Sequence, residues 1–181
     1  YGVASATTIT FEGNISYASN VDVNVPNGTT MVLGVDDTLK HKIVIGDDAT
    51  LIVSASVLNL TDRLELKKNS TIRFAQPCTK LRIRNDMSAG DNPTINPDGM
   101  QVTFHVNGNV TINKGAAVMA TIFAPNGNIQ TQNATASVPS VMTGKFIAKK
   151  VVGGDYTYWY ENTACPCVID SGAPIFRLNS Q

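Results

Sequence analysis

The chain has 181 residues, and its 14 Lys and Arg residues balance its 14 Asp and Glu residues, so the formal net charge is zero. With 15% of residues charged, the composition argues against a protein that binds nucleic acid or an anionic membrane through its overall charge. The length fits one domain over residues 1–181, and no run approaches the roughly 20 apolar residues of a membrane helix, which predicts no membrane insertion in this chain.

Strand and turn residues dominate the sequence from its amino terminus. Short alternating apolar runs follow one another as TTITFEGNI, VDVNV, KIVIGDDATLIV and LELKKNSTIRF. Alternation places one set of side chains inside, so we expect Ile43 and Ile45 to point inward and Lys42 and Val44 to point outward. The chain is therefore predicted to be all-β.

These runs repeat loosely at about twenty residues, a period typical of β-solenoid coils. The pattern of residues 43–53 returns at 64–74, and Asn109 recurs as Asn128. Turn signals such as those at 26–28 and 46–48 would equally close hairpins. A parallel β-solenoid is the predicted architecture, and a β-sandwich remains the alternative.

Basic residues concentrate in one third of the chain and alternate at Lys80, Arg82 and Arg84. Alternation would place these three on one outward face, where they form a cationic stripe able to bind an acidic polysaccharide. The alternative is a solvated sheet face whose charges discourage edge pairing.

Segment 85–99, NDMSAGDNPTINPDG, interrupts the alternation and predicts a long surface loop. Its carboxylates, Asp86, Asp91 and Asp98, are the type of oxygen ligand that calcium accepts. Their spacing is not that of an EF-hand, so ordinary turn residues are the competing interpretation. We expect no cofactor, with calcium at this segment as the alternative.

The next part of the chain has a distinct cadence, with IFAPNG at residues 122–127, TGKFIAK at 143–149 and the closing run GGDYTYWY. This part, about residues 102–160, resembles the β-solenoid domains of bacterial surface and pilus-associated proteins, of the choice-of-anchor and polymer-forming type. The resemblance implies a right-handed parallel β-solenoid on a secreted or surface-attached protein. It implies no catalytic residue.

Aromatic residues gather in that closing run. Tyr156, Tyr158 and Tyr160 alternate, so an exposed row would offer flat rings for stacking on sugars. Packing beneath the tail is the other interpretation. The two histidines, His41 and His105, lie within alternating runs, and we expect them to be strand residues rather than members of a triad or zinc site.

The tail at 161–181 leaves the pattern and is predicted to cap the last coil, because an open coil exposes a strand edge. Three cysteines, Cys78, Cys165 and Cys167, allow one disulfide that joins Cys78 to one member of the CPC pair, with three reduced thiols as the alternative. Spacing does not decide the connectivity.

These observations favour a non-enzymatic, extracellular module that serves a structural or adhesive role in a bacterial cell-surface assembly. The expected partners are that assembly or a polysaccharide, together with end-to-end self-association of the solenoid. A carbohydrate-binding or polysaccharide-lyase-like protein is the alternative. Ice binding is a further alternative, but it requires threonines at one outward position in successive coils, and we expect those of this chain not to align.

Overall fold

The computed structural model describes residues 21–161 and the short strand formed by Thr8 and Ile9. Within them the chain contains strands and turns and no helix, so no helix there is long or apolar enough to cross a membrane. The strands in chain order are β1 (Thr8–Ile9), β2 (Val23–Val25), β3 (Thr30–Leu33), β4 (Leu39–Lys40), β5 (Ile43–Ile45), β6 (Thr50–Val53), β7 (Val57–Leu60), β8 (Leu64–Leu66), β9 (Thr71–Phe74), β10 (Thr79–Ile83), β11 (Met87–Ala89), β12 (Thr94–Ile95), β13 (Val102–Val106), β14 (Val110–Ile112), β15 (Ala117–Thr131), β16 (Ser140–Val152) and β17 (Thr157–Tyr160).

The strands stack as a β-solenoid of about six turns. Each coil crosses three faces. Face 1 contains β2, β5, β8, β11 and β14, followed by the carboxy-terminal ends of β15 and β16. Face 2 contains β1, β3, β6, β9 and β12, the amino-terminal ends of β15 and β16, and β17. Face 3 contains β4, β7, β10 and β13, followed by the middle of β15 and β16.

Every strand-to-strand pairing described above is parallel, which confirms the solenoid and excludes a hairpin-built sandwich for this part of the chain. The register also confirms the sequence repeat. Ile43 pairs with Leu64 and Thr50 pairs with Thr71, as the match of residues 43–53 to residues 64–74 predicts.

The core lies inside the coils and follows from the alternation. Ile43 and Ile45 are fully buried, as predicted, while Lys42 and Val44 are partly exposed. One apolar cluster runs through the stack, with Phe74 and Phe104 in edge-to-face contact at a centroid distance of 5.9 Å. Each such Leu, Ile or Phe stabilises the fold by about 1.5–3 kcal/mol through burial.

The corners between faces 1 and 2 stack on one another and form a repeating column along the solenoid. Gly28, Asp48, Asn69, Asn92 and Gly115 all have positive φ angles between 54° and 71°. The side chains are bonded from coil to coil, because the Asn69 amide donates to Asp48 at 2.8 Å and the Asn92 amide donates to Asn69 at 3.0 Å. Residues that tolerate the left-handed conformation are required at these corners.

The structure differs from the predicted loop at 85–99. This segment forms two of the three sides of a coil, because it contains β11 on face 1 and β12 on face 2, and both strands pair with the coils on both sides. The buried Asn96 side chain turns inward at its corner and donates to the carbonyls of Met100 and Met119, both at 2.6 Å. The strands are two or three residues long between tight corners, which is why the segment looks like a loop in sequence.

The solenoid continues through β17, whose Trp159 ring contacts Phe146 edge to face at 4.9 Å. The predicted capping tail at 161–181 lies beyond the described residues, apart from Glu161. The cap therefore stays a prediction.

Candidate functional site

Face 3 is a cationic surface. Its outward side chains along β7, β10, β13 and the middle of β15 and β16 include no Asp or Glu; they are Val57, Asn59, Lys80, Arg82, Thr103, His105, Thr121, Phe123, Lys145 and Ile147. The prediction that Lys80 and Arg82 share an outward face is confirmed, and Arg84 follows them as an exposed residue directly after β10.

Other basic residues of the same third of the chain have acidic partners. Arg73 on face 2 contacts Asp98 at 2.8 Å, and on face 1 both Arg63 and Lys67 contact Glu65. Within residues 21–161, by contrast, no ion pair joins Arg82 or Arg84 to an acidic side chain. The positive charge of face 3 is therefore available to a ligand.

A shallow groove with a volume of about 370 Å³ crosses this face. Two columns of side chains line the groove over four consecutive coils, and each coil contributes one residue to each column. The first column contains Asn59, Arg82, His105 and Phe123. The second contains Thr61, Arg84, Asn107 and Pro125. Neighbouring coils are spaced by about 4.8 Å, so the four coils give the groove a length of about 14 Å along the solenoid axis.

His105 lies at the centre of the groove. It stacks above Arg82 in the register of β10 and β13, and its ring contacts Phe123 edge to face at 5.5 Å. Burial lowers the pKa of His105, and the charges of Arg82 and Lys80 lower it further. The imidazole is therefore favoured in its neutral form, which both donates and accepts a hydrogen bond.

The predicted tyrosine row lies elsewhere. Tyr158 and Tyr160 point outward from β17 on face 2, with 47% and 56% of their surface exposed. Tyr156 lies in the preceding turn with φ of 54°, so it does not continue their row. The tyrosines and the cationic stripe are thus on different faces and do not form one site.

The three predicted calcium ligands are not brought together. Asp86, Asp91 and Asp98 lie at three successive corners of one coil, and each has its own partner. Asp86 accepts the backbone N–H of Asn109 at 2.7 Å, Asp91 pairs with Lys114 at 3.6 Å, and Asp98 pairs with Arg73. The described part of the chain contains no group of three or more His, Cys, Asp or Glu residues arranged to hold a metal ion.

The remaining predicted residues are at separate places. His41 contacts Asp22 through its Nδ1 atom at 2.6 Å, and this contact with that of Lys42 holds the pKa of Asp22 below its usual value. Cys78 is disulfide-bonded. Cys165 and Cys167, its predicted partners, lie outside the described residues, so the connectivity stays a prediction.

The threonines correct our expectation that they would not align. Thr8, Thr30, Thr50, Thr71 and Thr94 occupy one register position in five successive coils of face 2. The last four are partly exposed and alternate with inward residues. We define these four as the threonine column. The expectation was wrong because the coils differ in length: contacts at the corners join residues 20, 21 or 23 positions apart, which hides the alignment in the sequence.

Sequence reasoning missed Asn59, His105 and Phe123 as companions of Arg82. The alternation of β7, β10, β13 and β15 identifies these residues as outward-pointing. Aligning them with Arg82, however, requires the length of each coil. In comparisons with known proteins, no family model, no curated protein and no solved structure matches this chain.

Proposed function

We propose that the protein is a non-enzymatic extracellular module with a structural and adhesive role in a bacterial cell-surface assembly. The observation that carries this proposal is the parallel stack, in which successive coils pair on all three faces and face 3 presents arginines that no acidic side chain within residues 21–161 pairs with. The resemblance of residues 122–127 and 143–149 to bacterial surface and pilus-associated solenoids supports the cellular setting.

The direction of the backbone hydrogen bonds supports the structural role. They run from coil to coil along the solenoid axis, while the corner side chains of Asp48, Asn69 and Asn92 add a parallel set of bonds. A stack of this type behaves as a rod whose coils interact mainly with their neighbours. A rod with a polar, cationic side is suited to hold a surface polymer at a fixed distance from its anchor.

Attachment under flow tests the adhesive role. Beads coated with the chain are passed over an acidic polysaccharide, a neutral polysaccharide and isolated bacterial envelopes. We expect retention on at least one surface at shear that removes beads coated with Leu81→Asp, a variant whose core carries a buried carboxylate. Equal detachment of both bead types from all three surfaces would contradict the proposal.

The threonine column favours ice binding as a second candidate function. Each threonine presents a hydroxyl and a methyl group, and the column repeats them at about 4.8 Å, the spacing between coils. A regular array of this type can order water. The other outward positions of β3, β6 and β9 are Val32, Ile52 and Arg73, which are not threonines. Ice binding would therefore depend on the threonine column alone.

Thermal hysteresis measures ice binding directly. We expect Thr71→Tyr to abolish the hysteresis of the wild-type chain, because the larger ring disrupts the column at its centre. Thr111→Tyr is the matched control, since Thr111 is an outward threonine on face 1. Absence of hysteresis in the wild-type chain, or equal loss in both variants, would exclude this candidate.

A further inference from the structure

We propose that the groove of face 3 binds a carboxylated polysaccharide, a chain of uronate-type sugars, with Arg82 and Arg84 binding the carboxylates. This inference rests on the proposed adhesive function and names the class of polymer to which the module attaches.

The positive charge of two arginines is the first observation that supports this proposal. Arg82 and Arg84 are exposed and two residues apart on the same coil, one in each column of the groove, and no acidic side chain within the described residues neutralises them. A guanidinium group binds a carboxylate through two parallel N–H···O bonds, which makes arginine the preferred partner for planar carboxylates. Lys80 adds a third positive charge on the same strand.

The shape of the groove provides the second step. It is open and elongated, and its length of about 14 Å suits a short stretch of a linear polymer rather than a compact small molecule. Most small-molecule sites are deeper and enclose most of their ligand. A polymer that continues beyond both ends of the groove requires such an open site.

The other lining residues provide the third step. Asn59 and Asn107 supply amide donors and acceptors for sugar hydroxyls, and Phe123 supplies an apolar surface for a ring. Neutral His105 lies between the arginines and Phe123, where it is able to bond a carboxylate or a hydroxyl. The mixture of cationic, amide and aromatic groups matches a sugar acid.

The same features argue against nucleic acid. Binding to a phosphate backbone uses many cationic contacts along a basic surface, whereas this groove contains two arginines in a chain of zero net charge. Single-stranded DNA therefore serves as the comparison ligand that the groove should bind less tightly.

Calorimetry with a defined oligogalacturonate, compared with the neutral galacto-oligosaccharide of the same length, tests the inference. We expect saturable binding of the acidic sugar alone. Arg82→Gln and Arg84→Gln should each weaken it about tenfold, because each removes charge-assisted hydrogen bonds to a carboxylate. Arg63→Gln, an exposed arginine on face 1, should leave the affinity unchanged.

Spectroscopy of the wild-type chain supplies a readout that does not depend on a variant. Arg82, Arg84 and Lys80 are the charged groups beside His105, and β15 contributes no titratable group there. A carboxylate bound between them should raise the pKa of His105, measured from its ring resonances with and without the oligogalacturonate.

The outcomes separate this inference from the proposed function. If coated beads are retained under flow but the oligogalacturonate does not bind, the inference is wrong and the adhesive function stands. Failure of both assays contradicts both. Equal affinity for the neutral sugar or for single-stranded DNA would also overturn the inference, because the groove would then not select a carboxylated polymer.

Discussion

Lys40 is a buried charged residue among the inward side chains of face 3. Its side chain is 2% exposed at an inward position paired with Leu60, and its ammonium group contacts Asp37 at 2.7 Å. The second carboxylate oxygen of Asp37 accepts the backbone N–H of Gly34 at 3.0 Å. A buried cation in this position requires its acidic partner.

We therefore expect Asp37→Ala to destabilise the protein by about 3 kcal/mol, because it leaves a buried charge without this carboxylate. Lys40→Met should cost less, since it removes the charge and keeps an apolar chain of similar length. Denaturant unfolding monitored by circular dichroism measures both. An Asp37→Ala variant as stable as wild type would show that the pair does not contribute.

His105 predicts a pH dependence of stability. Its pKa is lowered in the folded protein, first by burial and then by Arg82 and Lys80. The unfolded chain therefore binds more protons than the folded one as the pH falls through about 6.5, the ordinary value for histidine. This side chain should make the free energy of unfolding increase with pH across that range.

The variant His105→Gln should remove this contribution. The unfolding free energies of wild type and variant are measured at pH 5 and at pH 8, and their difference is compared between the two pH values. Taking this difference cancels the contributions of the other titrating groups. We expect the variant to gain stability relative to wild type at the lower pH. A difference independent of pH would contradict the prediction.

Asn69 gives a prediction at the scale of the corner elements. It has a φ of 54° and bonds both Asp48 and Asn92. We expect Asn69→Ala to cost about 1–2 kcal/mol, because it combines left-handed strain with the loss of exposed hydrogen bonds. The control Asn69→Gly loses the same bonds without the strain, so it should be the more stable variant in thermal unfolding.

At this scale, sequence patterns predict individual strands better than their alignment. Alternation is a local property, so Ile43, Ile45 and the outward Arg82 are predicted correctly. Alignment depends on the length of every coil, and a corner absorbs one extra residue without changing the strands beside it. The same reason explains why the threonine column and the partners of Arg82 were missed, whereas segment 85–99 looks like a loop because its strands have only two or three residues.

At the scale of the whole molecule, the stack predicts which deletions are tolerated. Removal of residues 43–63 deletes one coil and brings Leu64 to the position of Ile43, so that Val23 pairs with Leu64 instead. We expect this shortened chain to fold cooperatively with a smaller denaturant m-value, because less surface is buried.

A deletion of residues 43–53 provides the comparison. It removes part of a coil, so the strands that follow no longer lie on the faces where their inward residues meet the core. We expect it to lack the circular dichroism and cooperative unfolding of a folded β protein. Equal folding of both deletions would contradict the dependence on whole coils.

The short groove of face 3 also has a consequence for binding strength. If the groove binds the proposed polysaccharide, a site that spans four coils would contact only a few sugars, so one molecule would hold the polymer weakly and release it quickly. Several molecules anchored side by side would engage one polymer together, and each bound site would raise the effective concentration at the next. Attachment would then depend steeply on the length of the polymer and on the density of molecules at the surface, which makes it a collective property rather than that of a single chain.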